Sequence, residues 1–283
     1  EYIFITGHLK DYVEEYMKQK NITNARFIEQ KVRDGPAGAI KLAEPYVDEP
    51  LLIIYADTIF DVDMSVLKDC KHDGIIWAKE VEDYQRFGVI VTDKDDFMVK
   101  IVEKPKEPIS KLANIGMYYL HNWKKLYEGI HWVYDNDVSV KGEFYPIPAY
   151  QWMVDNGCKI KIEPVNGWYD CGKPETTLES NAILLKKNHA VKSKTKNSNI
   201  VKPVFIDEDC VIENSTIGPN VHISKGCTIK NAVLRDCIID ANSTITDIML
   251  HDSILGEETY IEGAGPEREM SMLLGDHGKT KIH

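Results

Sequence analysis

Between residues 206 and 261, Ile206, Ile212, Ile217, Ile223, Ile229, Ile238, Ile245, Ile254 and Ile261 recur at intervals of five to nine residues, near multiples of six. Small or polar residues fill the gaps. Such a period suits a parallel β-helix, in which each short strand is one side of a triangular coil and neighbouring coils bury one another's isoleucines. A β-sandwich fits less well, because Gly218-Pro219-Asn220 and the isoleucine phasing match coils better than strict alternation. Three to four coils are expected. Cys210, Cys227 and Cys237 then read as small interior residues rather than metal ligands.

Residues 2 to 190 have a different rhythm. The apolar segment Tyr2–Thr6 precedes Asp11–Lys20, whose Tyr12, Val13, Tyr16 and Met17 form one helical stripe. A strand at Arg26–Glu29, a turn at Asp34-Gly35, a helix from Pro36 and a strand at Leu51–Tyr55 follow. Strand–helix alternation with near-continuous apolar strands predicts an α/β domain with a mainly parallel sheet covered on both faces. Ligands in such sheets sit at the carboxyl ends of the strands. From Gly74 to His121 short strands succeed one another at Ile75–Val81, Phe87–Thr92, Met98–Glu103 and Asn114–Leu120. Asp93–Asp96 reads as a hairpin turn, and the whole as antiparallel additions. A helix near Tyr145–Asn156, a strand at Lys159–Pro164 and a helix at Glu175–Lys187 close this domain at about residue 188. Residues 189–199 read as a polar linker and 200–283 as the β-helix with a tail.

Charge narrows the partners. Lys and Arg number 34 against 45 Asp and Glu, for a net charge of −11, which repels nucleic-acid backbones but leaves room for one anionic metabolite in a cleft with a few lysines and a divalent cation. The six cysteines form no CxxC pair, so a reducing, cytoplasmic setting is expected. The longest apolar run, Leu51–Ala56, is far short of the roughly 18 residues of a membrane span. The chain opens at Glu1 and runs at once into an apolar strand, as if joined partway through a longer protein.

Two carboxylates stand out. Asp57 ends the apolar strand of Leu51–Ala56, where an oxygen ligand can hold Mg²⁺. Asp170 in Gly167-Trp168-Tyr169-Asp170-Cys171-Gly172 follows a strand and precedes a helix, flanked by glycines that allow close backbone approach. Each alone could be a cap or turn residue; together they suit Mg²⁺ held with substrate phosphates. Glu103-Lys104-Pro105 puts an acceptor for sugar hydroxyls beside a point charge for phosphate. Arg86-Phe87-Gly88 and Asn114-Ile115-Gly116 each offer a glycine for close approach.

Taken in order, Gln30-Lys31-Val32-Arg33-Asp34-Gly35-Pro36-Ala37, Ala56-Asp57-Thr58, Arg86-Phe87-Gly88-Val89, Glu103-Lys104-Pro105, Asn114-Ile115-Gly116-Met117-Tyr118 and Trp168-Tyr169-Asp170-Cys171-Gly172 resemble sugar-1-phosphate nucleotidylyltransferases. The closest likeness is to long glucose-1-phosphate thymidylyltransferases with a C-terminal left-handed β-helix, and it covers essentially the whole chain. The resemblance implies a Rossmann-like mixed sheet and transfer of a nucleotidyl group from dTTP or UTP to a hexose-1-phosphate. A sugar phosphate oxygen would attack the α-phosphorus in line and release pyrophosphate, without a covalent enzyme intermediate. By the family pattern Asp57 and Asp170 hold Mg²⁺, Lys104 binds the sugar phosphate, and Glu103, Gly88 and Asn114 contact the hexose. Gln30 and Gly35 read the base, and Trp168 lies beside the substrates.

The family's Gly-x-Gly-Thr-Arg loop and following Pro-Lys pair are absent from these residues, so the chain as written is expected to be inactive. Ala56 and Thr58 stand where Gly and Asn are usual. Pro36 has no N–H to offer the base, which leaves thymine and uracil both open. A non-catalytic regulatory relative, or acyl transfer in the β-helix using His222 or His251, are the competing functions. The exposed coil ends favour a homo-oligomer.

Overall fold

The computed structural model describes residues 1–7, 9–68, 70–265 and 269–282. Strands β1 (Tyr2–Thr6) and β2 (Ala25–Glu29) pair in parallel and are joined by helix α1 (Lys10–Gln19), the helical crossover that parallel neighbours require. Helix α2 (Pro36–Ala43) opens on a proline, tolerated there because the first-turn N–H has no helical acceptor. Then come β3 (Leu51–Ile54), β4 (Thr58–Asp61), β5 (Gly74–Glu80), β6 (Gly88–Thr92), β7 (Met98–Glu103) and β8 (Leu112–Leu120). Helix α3 (Trp123–Asp135), the hairpin β9 (Ser139–Val140) and β10 (Glu143–Phe144), α4 (Ile147–Asp155), β11 (Ile160–Pro164), β12 (Gly167–Asp170) and α5 (Pro174–Lys187) complete the α/β part.

Strand β8 organises the main sheet. It pairs antiparallel with β5, β3 and β6, while β7 pairs antiparallel with β6 and β11 parallel with β5. The expectation of a mainly parallel sheet is therefore corrected to a mixed sheet in which antiparallel pairings prevail. Continuous apolar strands report burial of both faces, not strand direction, and β5 shows why. Ile76 and Ala78 face a core built from α3 and α4 (Leu126, Ile130, Tyr150, Met153), whereas Ile75 and Trp77 face Ile115, Met117 and the partly buried Phe60 and Trp168. The Asp93–Asp96 turn is as expected: Asp93 Oδ1 accepts from the N–H of Asp95 and Phe97, both at 2.9 Å, and Asp96 adopts φ 58°.

Contacts group the chain into two compact units: Glu1–Ala56 with Phe60–Trp168, and Asp57–Ile59 with Tyr169 onward. In the second unit α5 packs on strands Val204–Ile206, Val221–Ile223, Val233–Ile239 and Met249–Leu255. Those strands belong to a parallel β-solenoid of about five coils, consistent with a left-handed β-helix and longer than the three to four expected. Residues 189–199, expected as a linker, form the first coil: Ala190–Val191, Thr195–Lys196 and Asn199–Ile200 each pair in parallel with the strand one coil on. Their polar composition belongs to the coil's outer faces.

Ile212, Ile229, Ile245 and Ile261 stack in register through the core and are almost wholly excluded from solvent. Ile238 and Ile254 do not join them. Cys237 and Ile239, Ser253 and Leu255 point inward on either side, so alternation turns these two isoleucines outward. Cys210, Cys227 and Cys237 are buried as expected, and the first two thiols donate to backbone carbonyls of the following coil, at Ser224 (3.2 Å) and Asp240 (3.1 Å). The corners are made by residues with positive φ. Asn197, Asn214, Asn231 and Asp247 (φ 49–54°) form one corner, their side chains linked by amide hydrogen bonds.

Candidate active site

Asp57 and Asp170 come together within the second unit. β4 and β12 form a two-stranded sheet, and the Cys171 N–H donates to the Asp57 carbonyl at 2.8 Å. Gly172 sits between the two carboxylates: a Cβ built there would lie 3.1 Å from Asp57 Oδ2 and 3.2 Å from Asp170 Oδ1. The Gly172 N–H donates to Asp170 Oδ1 at 2.9 Å, and the Thr58 hydroxyl to Asp57 Oδ1 at 3.4 Å. Ser180 anchors the strand end by donating to the Asp170 carbonyl at 2.8 Å. Burial pushes the Cys171 thiol up, its contact with Ser180 opposes the shift, and both carboxylates add to it. Neither carboxylate is in an ion pair among the described residues. Two converging hard-oxygen donors could hold Mg²⁺, which takes one or two carboxylates and completes its shell with water and phosphate oxygens.

A second cluster lies in the first unit. Gly88 and Glu103 are register partners on β6 and β7. Asn114 on β8 donates from Nδ2 to the Gly88 carbonyl at 3.0 Å, and its Oδ1 accepts from the Tyr118 hydroxyl. The absent side chain of Gly88 makes room for this: a Cβ there would be 2.3 Å from Ile147 Cδ1, 2.4 Å from Asn114 Nδ2 and 3.0 Å from Glu103 Oε2. Burial pushes the Glu103 carboxyl above its usual range, offset in part by the Lys104 ammonium at 3.4 Å. Lys104 takes φ 45°, its N–H donates to the Phe87 carbonyl at 2.9 Å, and its side chain is largely exposed. Trp168 packs edge-on against Phe87 at 5.1 Å, with its indole N–H buried and unpaired. It is a packing residue of the Ile75–Trp77 core as much as a surface for ligands.

Gln30 and Gly35 also meet. Gln30 Nε2 donates to Asp34 Oδ1 at 3.0 Å and to the Gly35 carbonyl at 2.9 Å. Gly35 has φ 105°, and a Cβ there would lie 2.6 Å from the Phe144 carbonyl oxygen, so glycine is required on two counts. Tyr118, Asp34 and Tyr134 are the residues missed from sequence. Tyr118 was legible in principle, since it lies on the same strand face as Asn114 four positions on.

The chain belongs to the nucleotidyl transferase family, whose model matches residues 1–187. It is 32% identical to the bifunctional protein GlmU of Methanocaldococcus jannaschii, over 98% of this chain and 77% of that one. It is 26% identical to the glucose-1-phosphate thymidylyltransferase of Streptomyces antibioticus, over 90% of this chain and 78% of that one. In fold it is similar to the nucleoside-diphosphate-sugar pyrophosphorylase of Vibrio cholerae RC9 (TM-score 0.54, 19% identity, 63% of this chain and 79% of that one). It is also similar to an apo UDP-glucose pyrophosphorylase (TM-score 0.57, 23% identity, 66% and 81%). Among the described residues no helix is long and apolar enough to cross a membrane.

Proposed function

We propose that the protein transfers a nucleotidyl group from UTP or dTTP to a hexose-1-phosphate, with glucose-1-phosphate the first candidate, and releases pyrophosphate. The observation that carries this reading is the convergence of Asp57 and Asp170 on Gly172. Both substrates are polyanions, and a site that brings them together must neutralise charge more than it must move protons. Asp57 and Asp170 would hold Mg²⁺, which would supply that neutralisation. The chain's own residues then position the partners. Lys104 neutralises the sugar phosphate as a point charge. Glu103, Asn114 and the Gly88 backbone take the hexose hydroxyls, and Gln30 and Gly35 take the base. An oxygen of the sugar phosphate forms a bond to the α-phosphorus as the bond to the β-phosphate bridge oxygen breaks, and pyrophosphate carries away the electron pair. Nothing in this step needs a side-chain nucleophile.

His222 fits packing better than acyl transfer. Its ring stacks on Phe205 at 5.0 Å and 14°, continuing a register of Phe205, His222 and Ile238 down one side of the solenoid. We read the solenoid as a stabilising and assembly element.

The test is pyrophosphate release across four triphosphates and several hexose-1-phosphates, with and without divalent cation, by a protein that carries the Gly-x-Gly-Thr-Arg loop ahead of these residues. Asp57→Asn and Asp170→Asn are each expected to lower turnover by orders of magnitude while leaving the melting temperature nearly unchanged. Full activity in either variant would remove the metal assignment.

A further inference from the structure

Gln30 has three polar functions at its tip, and the fold has already used two. Both amide hydrogens point at acceptors: Asp34 Oδ1 at 3.0 Å and the Gly35 carbonyl at 2.9 Å. Only the carbonyl oxygen, Oε1, is left for a ligand. Turning the amide over would set Oε1 against a carboxylate and a carbonyl oxygen, with no hydrogen on either side. The side chain is therefore locked in one orientation by its neighbours.

The lock is itself held from several directions. Asp34 Oδ2 accepts from the Tyr134 hydroxyl at 2.5 Å, so the carboxylate cannot rotate away without losing that bond. The Asp34 carbonyl accepts from the Phe144 N–H at 2.7 Å, and the Tyr134 ring stacks on Phe144 at 4.2 Å. Gly38 leaves the space that the carboxylate fills, for a Cβ there would lie 1.9 Å from Asp34 Oδ1. Burial, followed by the hydrogen bond to Asp34 and its charge, pushes the Tyr134 phenol up, so it remains a donor throughout the neutral range.

We infer that Asp34, braced by Tyr134, is a specificity-determining positioning residue: it makes Gln30 present an acceptor alone to the nucleotide base. A base that offers a ring N–H at that edge, as uracil and thymine do at N3, finds a partner. Cytosine offers a lone pair at N3 and meets oxygen against nitrogen without a hydrogen, an unpaired polar contact of the kind that discriminates strongly. The inference rests on the reading that the base lies at Gln30, and it adds what sets the polarity of that contact.

UTP and CTP differ at N3 and at the neighbouring 4-position, where a carbonyl becomes an amino group, and the change in their preference between parent and variant, read from equilibrium dissociation constants measured by calorimetry on the whole protein, separates the effect of Asp34 from both that difference and turnover. In Asp34→Asn the residue at 34 can donate to a flipped Gln30, and only the Gly35 carbonyl still opposes the flip. The UTP-over-CTP preference is expected to fall roughly tenfold or more, mainly through tighter CTP binding, with sugar-phosphate binding unchanged. Tyr134→Phe frees the carboxylate to rotate and is expected to lower the preference less; it carries the test by itself where Asp34→Asn does not fold. An unchanged preference in the folded variant overturns the inference. Gln30→Ala distinguishes the two levels: if it leaves UTP binding intact, the base does not lie there and the inference falls, while cation-dependent pyrophosphate release still stands or fails on its own.

Discussion

Gly88→Ala adds one methyl group at the point where three candidate sugar-contacting groups meet, and the structure sets the size of its effect. The new Cβ would lie 2.3 Å from Ile147 Cδ1 and 2.4 Å from Asn114 Nδ2, with Glu103 Oε2 at 3.0 Å. Non-bonded carbons settle at about 3.5–4.0 Å, so the first two neighbours must each retreat by about 1 Å. Asn114 is pinned through its amide to the Gly88 carbonyl and through its Oδ1 to Tyr118, and retreat breaks one or both contacts. Misplacement of about 1 Å at a reacting constellation costs about 10²-fold in rate, or about 2.7 kcal/mol. Overpacking against Ile147 adds a stability cost of about 1–3 kcal/mol, which for a unit of this size lowers the melting temperature by several degrees. The assay is steady-state pyrophosphate release with the hexose-1-phosphate varied at saturating triphosphate, alongside thermal unfolding. kcat/KM for the sugar phosphate should fall by about two orders of magnitude, with triphosphate KM changing far less. Adding Ile147→Ala should restore part of the stability and little of the activity, because it relieves only the apolar half of the clash. A Gly88→Ala protein within twofold of the parent in kcat/KM would refute the placement of the hexose.

Lys104→Ala should weaken sugar-phosphate use by about 2 kcal/mol, the usual loss for a charge-assisted contact, read as a rise in KM for that substrate alone; equal loss for the triphosphate would move this lysine elsewhere. Glu103 has a folded-state pKa raised by burial, so its contribution to stability is present below the unfolded value and is lost as pH rises through the folded one. Glu103→Gln should therefore melt higher than the parent at pH 7, with the gap closing towards pH 4, while sugar-phosphate use falls; a variant that melts lower at pH 7 would show that the Lys104 ion pair outweighs desolvation. Ile229→Ala, in the solenoid core between Ile212 and Ile245, should cost about 2–5 kcal/mol and leave turnover intact well below the transition, as scanning calorimetry and a 25 °C assay would register together.

How far the fold was legible depended on whether the signal was local. A parallel β-helix repeats its core positions along the chain, so isoleucine phasing alone pointed to it. The phase then slipped at Ile238 and Ile254, because the coils there run 16 residues from Ile229 to Ile245 and on to Ile261, against 17 from Ile212 to Ile229. One residue of slip turns a strand's faces over. The corner asparagines at 197, 214 and 231 carry the same period and their left-handed φ is a recognised asparagine trait, so they would have placed the first coil where a linker was expected. Strand direction was not legible, since apolar content responds to burial and is indifferent to whether a neighbour runs parallel or antiparallel. The Asp34–Tyr134 contact spans 100 residues, and nothing in either local sequence indicates the other.

The candidate subsites share a construction built on glycine. At Gly38 the space of the missing side chain holds the Asp34 carboxylate; at Gly88 it holds the Asn114 amide and a Glu103 oxygen; at Gly172 it holds oxygens of Asp57 and Asp170. At Gly38 and Gly88 backbone and functional group approach more closely than a Cβ would permit, and at Gly172 about as closely as a Cβ could bear, so the main chain of a strand or helix end helps to place the polar atom. Main-chain placement is what preorganisation requires, because a donor or carboxylate that must be gathered from several rotamers gives up part of its binding energy to entropy. The same construction makes a single methyl group a severe lesion at Gly38 and Gly88, out of proportion to its volume. Among them Gly172 is the gentlest, since 3.1 and 3.2 Å leave the carboxylates only a few tenths of an ångström to give. Asp57 and Asp170 would be displaced slightly rather than expelled, and a divalent cation between them would feel the change as weaker affinity before any loss of fold.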